Sequence, residues 1–242
     1  VYDHAAVTGC LMTTDAGDFW QGGGGIYNGD GATLNLIDST VSNNTSGWAG
    51  GGVFSFFNTT TKVIRSTVSG NTATDVGGGM RSLGNAEVIN STLSGNESIA
   101  WHGGAVFQTD GVMNLVNSSV ADNTSPAGTG ALFVGTFTDV GATLTLTITI
   151  VAGNSALGCF AGSFGGAAVA LTALGHNIDS DASCNLTAAG DQPGTDPLLA
   201  ALADTGGPTK THALGAGSPA IDAADAGACP ATDQRGVARP QC

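Results

Sequence analysis

The chain has 242 residues, 41% of them hydrophobic and 10% charged, and its 6 Lys+Arg against 19 Asp+Glu give a formal net charge of −13. That acidity excludes nucleic acid and anionic membrane as partners, because both require basic clusters. No apolar run reaches the roughly 18 residues that span a bilayer, so direct membrane insertion is not expected, and the apolar share is too high for a disordered chain.

No basic-then-apolar leader opens the sequence, and its start at Val1 reads as that of a processed or trimmed product. From residue 23 two phrases alternate. The first is glycine-rich: Gly23-Gly24-Gly25-Ile26, Gly50-Gly51-Gly52-Val53, Gly77-Gly78-Gly79-Met80, His102-Gly103-Gly104-Ala105 and Gly128-Thr129-Gly130-Ala131. The second ends in asparagine: Ser39-Thr40-Val41-Ser42-Asn43-Asn44, then copies ending at Asn71, Asn96 and Asn123, and a worn copy ending at Asn154. A period near 26 residues means stacked units, none of which buries its apolar face alone. Glycine is abundant, 39 residues, but lacks the every-third spacing of collagen.

Between the phrases, apolar and polar residues alternate. Leu34, Leu36 and Val41 are followed by Val63, Ile64 and Val68, by Val88, Ile89 and Leu93, by Leu115, Val116 and Val120, and then by the unbroken run Thr143–Ile150. Period two with β-branched residues predicts strands, and like stacked on like predicts parallel strands. The fold expected is all-β: a right-handed parallel β-helix of three sheets, with coils of about 25–27 residues. Asn44, Asn71, Asn96, Asn123 and Asn154 should form an amide ladder at one turn. Gly25, Gly52, Gly79, Gly104 and Gly130 should sit where the chain bends sharply or backbones approach closely. Asn90, Asn96, Asn117 and Asn123 fall in glycosylation sequons, which the repeat generates by itself.

After about residue 156 the beat fades, and six of the seven prolines lie beyond residue 190. Proline has no N–H for an interior ladder. Residues 1–190 are therefore assigned to the β-helix and 191–242 to an irregular capping segment packed on the last coils.

The C-terminal phrases carry a resemblance. They are Gly175-His176-Asn177-Ile178, Asp196-Pro197-Leu198-Leu199, Gly206-Gly207-Pro208-Thr209, Ser218-Pro219-Ala220-Ile221-Asp222 and Asp233-Gln234-Arg235-Gly236. Together with the repeats, the chain resembles bacterial extracellular β-helix proteins of the choice-of-anchor Q type, and the repeats also resemble those of polymorphic outer-membrane proteins. The resemblance implies a secreted or surface-attached protein with no shared catalytic site to carry over. Such proteins usually have coils before the first glycine phrase and continue past the cysteine matching Cys242, so this chain is expected to be part of a longer product.

An extracellular setting permits disulfides. Four cysteines allow three pairings, and sequence does not choose among them. The resemblance and the short loops favour Cys159 with Cys184 and Cys229 with Cys242. Cys10 is then left over, either a buried thiol or a link to a neighbouring subunit. No Cys-x-x-Cys is present, so no zinc site is expected.

Catalytic chemistry finds little support. A lyase of this fold needs a basic residue with calcium carboxylates, and the coils offer only Lys62, Arg65 and Arg81, with Asp38 and Asp75 standing singly. Glycoside hydrolysis needs two carboxylates across one groove, and the best pair by position is Asp110 with Glu87. Asp179-Ser180-Asp181 is a fragment of a calcium loop lacking its glycine and glutamate. His102 replaces a turn glycine and should be exposed. Thr40, Thr67, Thr92 and Ser119 form an outward hydroxyl column. Trp48, Phe54, Phe56, Phe57, Trp101, Phe107, Phe133 and Phe137 flank the glycine turns, where they should stack inside or seal coil edges, a sugar-binding strip being the alternative. The expectation is a non-enzymatic structural rod with no cofactor or metal. Its partners would be copies of itself, stacked head to tail, or another surface protein or glycan. A carbohydrate-active enzyme or glycan-binding module is the alternative.

Overall fold

Alternating side chains leave each strand one apolar face, and stacking turns those faces inward around a common axis. The structure is a computed structural model. It describes residues 1–13, 22–126, 128–155, 157–225 and 227–239. The chain winds about six times into an all-β parallel solenoid, with no helix among the described residues. The first four coils visit sheets of seven, eight, four and six strands in turn, and the later coils omit the four-stranded one. The four-stranded sheet, Leu11–Met12, Thr45–Ser46, Thr72–Ala73 and Glu97–Ser98, is one more than the three expected. Its strands are two residues long because they only bridge the corner between the asparagine turn and the glycine turn.

Register follows the repeat. Leu36, Val63, Val88, Leu115 and Leu146 form one interior column, and Val41, Val68, Leu93, Val120 and Val151 a second. Ile26, Val53, Met80, Val106, Leu132 and Cys159 form a third. All are buried, and together they make a core without aromatic side chains, closed at its last coil by Cys184 and Leu186.

The turn between the first two sheets requires a left-handed backbone at Asp38, Arg65, Asn90, Asn117 and Ile148. For β-branched Ile148 this conformation is costly, and it is imposed by the bond from its N–H to the Gly175 carbonyl of the next coil. The serine that follows closes the turn. Ser39, Ser66 and Ser91 each donate Oγ–H to a carbonyl two residues back and accept the N–H of the coil before. The column continues through Ser118 and Thr149 to Asn177 and Asp191, whose oxygens accept the N–H groups of Thr149 and Asn177.

At the next turn the asparagines bond to one another. The Asn71 carboxamide oxygen accepts both the backbone N–H (3.0 Å) and the side-chain Nδ2 (2.9 Å) of Asn44. Its own Nδ2 donates to Asn96 Oδ1 and to the Val41 carbonyl. The pattern repeats through Asn123 to Asn154. Asn96 and Asn123 are fully buried, so their amides are committed to the ladder rather than presented to a glycosylating enzyme.

The glycines serve this ladder. A Cβ on Gly52 would lie 2.9 Å from Asn71 Nδ2 and 2.6 Å from the Gly79 carbonyl, so only glycine fits. Gly25 and Gly79 repeat that contact. The strand register places Ala105, not Gly104, opposite Gly79, which sets Gly104 and Gly130 one step off the column read from the sequence.

Past the last strand of the eight-stranded sheet, Gln192–Pro193, the chain turns back. It reaches further than the last coils and runs along the outer face of that sheet. Thr67 Oγ1 donates to the Lys210 carbonyl, Thr209 Oγ1 to the Arg65 carbonyl and Thr92 Oγ1 to Gln234 Oε1, while Gln234 Nε2 donates to Thr67 and Thr209. His212 bonds Ser94, and Asn90 takes contacts from Thr232 and Arg239. Thr67 and Thr92 are therefore buried, not an open hydroxyl face. Beyond Gln192–Pro193, which adds one last strand, the proline-rich segment adds none to this sheet, but accepts from and donates to the side chains standing on it.

Cys159 and Cys184 form a disulfide. Cys229 is not a free thiol, and its expected partner Cys242 lies outside the described residues. Cys10 is free and exposed, not buried.

Two stability outcomes follow. Asn96→Ala strands two donors of Asn71, each costing about 1–3 kcal/mol when buried and unpaired; urea unfolding should show a loss of about 3 kcal/mol or more, against a smaller loss for Asn44→Ala, whose oxygen accepts only the part-buried Cys10 N–H. Reducing Cys159–Cys184, which closes a 25-residue separation, should cost about 3 kcal/mol by the loop-entropy relation and lower the melting temperature.

Candidate functional site

The six-stranded sheet breaks the alternation. Val53–Ser55, Met80–Ser82, Val106–Thr109 and Gly130–Thr136 are buried at every position, on both faces. What covers the outer face is aromatic. In strict register, Tyr27, Phe54, Arg81, Phe107, Phe133 and Phe160 form an outward column. Strand spacing near 4.8 Å suits offset ring stacking. Tyr27 lies 5.6 Å from Phe54 with planes 7° apart, and Phe107 lies 4.4 Å from Phe133 with planes 8° apart. The aromatics thus neither fill the core nor seal its ends; they make a second apolar cluster outside the barrel. His102 is buried within it, 4.4 Å from the Phe133 ring, and not exposed.

Coil three departs from its neighbours at two places. Asp75 stands between Trp48 and Trp101, its backbone bonded to both. Arg81 stands between Phe54 and Phe107. A short aspartate between two indoles leaves a notch of about 310 Å³, with Arg81 in its floor and Asp75, Asp110, Phe57 and Phe137 around it. The far wall is an insertion. Val106 and Leu132 are 26 residues apart, whereas Met113 and Leu144 are 31 apart, so the additional residues fall after Thr136. They bring Phe137 within 5.9 Å of Trp101 and place Thr138 Oγ1 2.7 Å from Asp110 Oδ1.

The Arg81 guanidinium lies 4.7 Å from the Trp48 ring centroid, 5.3 Å from Phe107 and 5.7 Å from Phe54. It is 7% exposed, and its Nε has no hydrogen-bond partner. Burial pushes its pKa down to about 10, the carboxylates of Asp75 and Asp110 working against that fall. Arg81 therefore remains charged at neutral pH, held by ring faces and by carboxylates too distant to pair with it.

The other charges of the coils lie elsewhere. Lys62 pairs with Glu87 at 2.7 Å on the seven-stranded sheet, which separates Glu87 from Asp110, so that pair does not face one groove. Arg65 takes a bidentate hold on Asp38. Asp3, His4 and Asp38 bring three ligand atoms within 4.8 Å, but Asp38 is committed to Arg65 and Asp3 pairs with His4. Asp179 and Asp181 brace the disulfide loop: their oxygens accept the N–H groups of Cys184 and Gly158 and the hydroxyl of Ser183. Burial raises the Asp179 carboxyl to about 6. Burial also pushes Asp181 upward, but bonds from Ser183, Asp179 and the Gly158 amide outweigh it and hold that carboxyl low.

The notch was legible in principle. Positions 48, 75 and 101, and positions 54, 81 and 107, share the repeat spacing, so Asp and Arg replacing Trp and Phe in one coil are visible once the coils are aligned on these columns rather than on the asparagine and glycine phrases. Comparisons with protein-family models, with curated proteins and with solved structures returned no match to the chain.

The Asp179 shift has a sign that can be tested. Between about 4 and 6 the folded chain holds a proton that the unfolded chain releases, so this carboxyl favours folding at the acid end and its contribution is lost as pH rises through 6. Asp179→Asn keeps the acceptor for Cys184 and removes the titration. Its melting temperature should gain on that of the native chain as pH rises from 4 to 6, and a constant difference would show that Asp179 does not titrate there.

Proposed function

We propose that this chain is a non-enzymatic structural protein, secreted or displayed on a cell surface, of the bacterial choice-of-anchor Q type, and that its rods stack head to tail into extracellular filaments or stand singly as adhesins. The observation that carries this reading is the uniform stack: parallel strands in four sheets, tied from coil to coil by buried serine and asparagine ladders around one apolar core. A stack of parallel strands is a template for further strands at its ends, and a contact between unlike ends propagates without closing. Exposed Cys10 could bridge subunits.

Other features fit. The stacked amides and the returning tail make a stiff rod, and the Cys159–Cys184 disulfide suits an oxidising compartment. The coil cations outside the notch, Lys62 and Arg65, are committed to ion pairs. The notch itself favours a second reading, recognition of a glycan.

Electron microscopy of the native protein, not refolded, tests assembly. Filaments with an axial repeat of about 30 Å, six coils at about 4.8 Å each, are expected. Discrete particles at all concentrations would remove the filament reading and leave the single adhesin.

A further inference from the structure

We propose that the notch between Trp48 and Trp101 is a binding site for an uncharged glycan, with a sugar ring packed against the indoles and its hydroxyls shared between Arg81 and the carboxylates of Asp75 and Asp110. Three observations converge on it. Both indoles are only half-buried and stand on either side of the smaller Asp75, so ring surface lines a gap of one coil. The volume, about 310 Å³, lies at the lower end of small-molecule sites. The floor holds the Arg81 guanidinium, more than nine-tenths buried and without an ion pair among the described residues. A ligand oxygen that reached its terminal nitrogens would make a charge-assisted hydrogen bond.

Charge selects the ligand class. One cation and two carboxylates line the notch, on a chain of formal charge −13. A uronic acid or sulfated sugar would bring a third negative charge beside Asp75 and Asp110. An amino sugar or quaternary ammonium would compete with Arg81, which already occupies the cation position over the Trp48 ring. A neutral sugar meets neither objection. Each hydroxyl both accepts and donates, so neighbouring hydroxyls satisfy a guanidinium on one side and a carboxylate on the other, while the apolar face of the ring covers aromatic carbon. Asp110 is already oriented for this by Thr138 and Thr136 on its Oδ1. The notch lies on the side wall of coils two to four, so end-to-end stacking leaves it open.

Two of the three tryptophans of the chain line the notch, which makes intrinsic fluorescence the readout. The full chain would be titrated with three sets of oligosaccharides: neutral gluco-, manno-, galacto- and N-acetylglucosamine oligomers, uronic-acid oligomers, and deacetylated, cationic glucosamine oligomers. The expected result is saturable binding of at least one neutral oligomer, weakened roughly tenfold or more by Trp101→Ala and by Asp75→Ala. Arg81→Met tests the donor directly. Because it removes a charge from a packed floor and could disturb folding, Asp110→Asn serves beside it, altering one hydrogen-bond partner at nearly constant shape. No saturation by any neutral oligomer at millimolar concentration would overturn the proposal. So would tighter binding of either charged set, or unchanged affinity in a folded Trp101→Ala variant. Filaments without glycan binding would refute this site and leave the assembly reading standing; glycan binding by discrete particles would do the reverse.

Discussion

A buried carboxamide that bonds its own copies one coil away and the backbone of the coil before fixes everything else in this molecule. In the interior rungs each asparagine uses both side-chain N–H groups, its backbone N–H and two acceptor sites of its oxygen. Such a group tolerates no slip. Sliding one coil by a single residue would bury unpaired donors and turn a whole strand inside out. The ladder therefore sets register, register sets which side chains share a column, and columns decide where chemistry can gather. The glycine turns are part of the same constraint, since a Cβ at Gly25, Gly52 or Gly79 would strike the amide it faces.

Once register is fixed, a change in one coil acts as a local feature against a uniform background. Phe54 and Phe107 would otherwise be neighbours through a third ring; Arg81 takes that place and keeps the stack by presenting its flat guanidinium to ring faces. Asp75 takes the place of an indole and leaves space. The added residues after Thr136 close the far side without disturbing the ladders, because insertions at a turn displace loop and not strand. A repeat fold thus acquires a recess by three small departures at its surface, with the core unchanged.

The two long faces are covered differently, and for different reasons. The six-stranded sheet is covered by its own side chains, ring upon ring. The eight-stranded sheet carries short hydroxyl residues that cannot cover a backbone ladder, and the returning C-terminal segment does so instead, through Thr67, Thr92, Ser94 and Gln234. The proline count argued against strands in this segment, and Gln192–Pro193 is nonetheless the last strand of the sheet. It did not show where the segment would go, because its partners lie some 140 residues away in sequence and are individually unremarkable threonines and serines.

The sequence alone determined the solenoid, its parallel pairing and the asparagine column. Each rests on short spacings repeated with the same residue types, and repetition converts a local preference into a register. It also held the repeat columns of Trp48, Asp75 and Trp101 and of Phe54, Arg81 and Phe107, apart from the asparagine and glycine phrases. Only the tertiary structure decided on which side of the sheet the aromatics lie, because period two assigns alternate residues to opposite faces without saying what will cover the outer one. It alone separated Glu87 from Asp110, buried His102, exposed Cys10 and laid the tail over the threonine column. Those outcomes depend on which coil stands beside which, and on long-range contacts that no local pattern encodes.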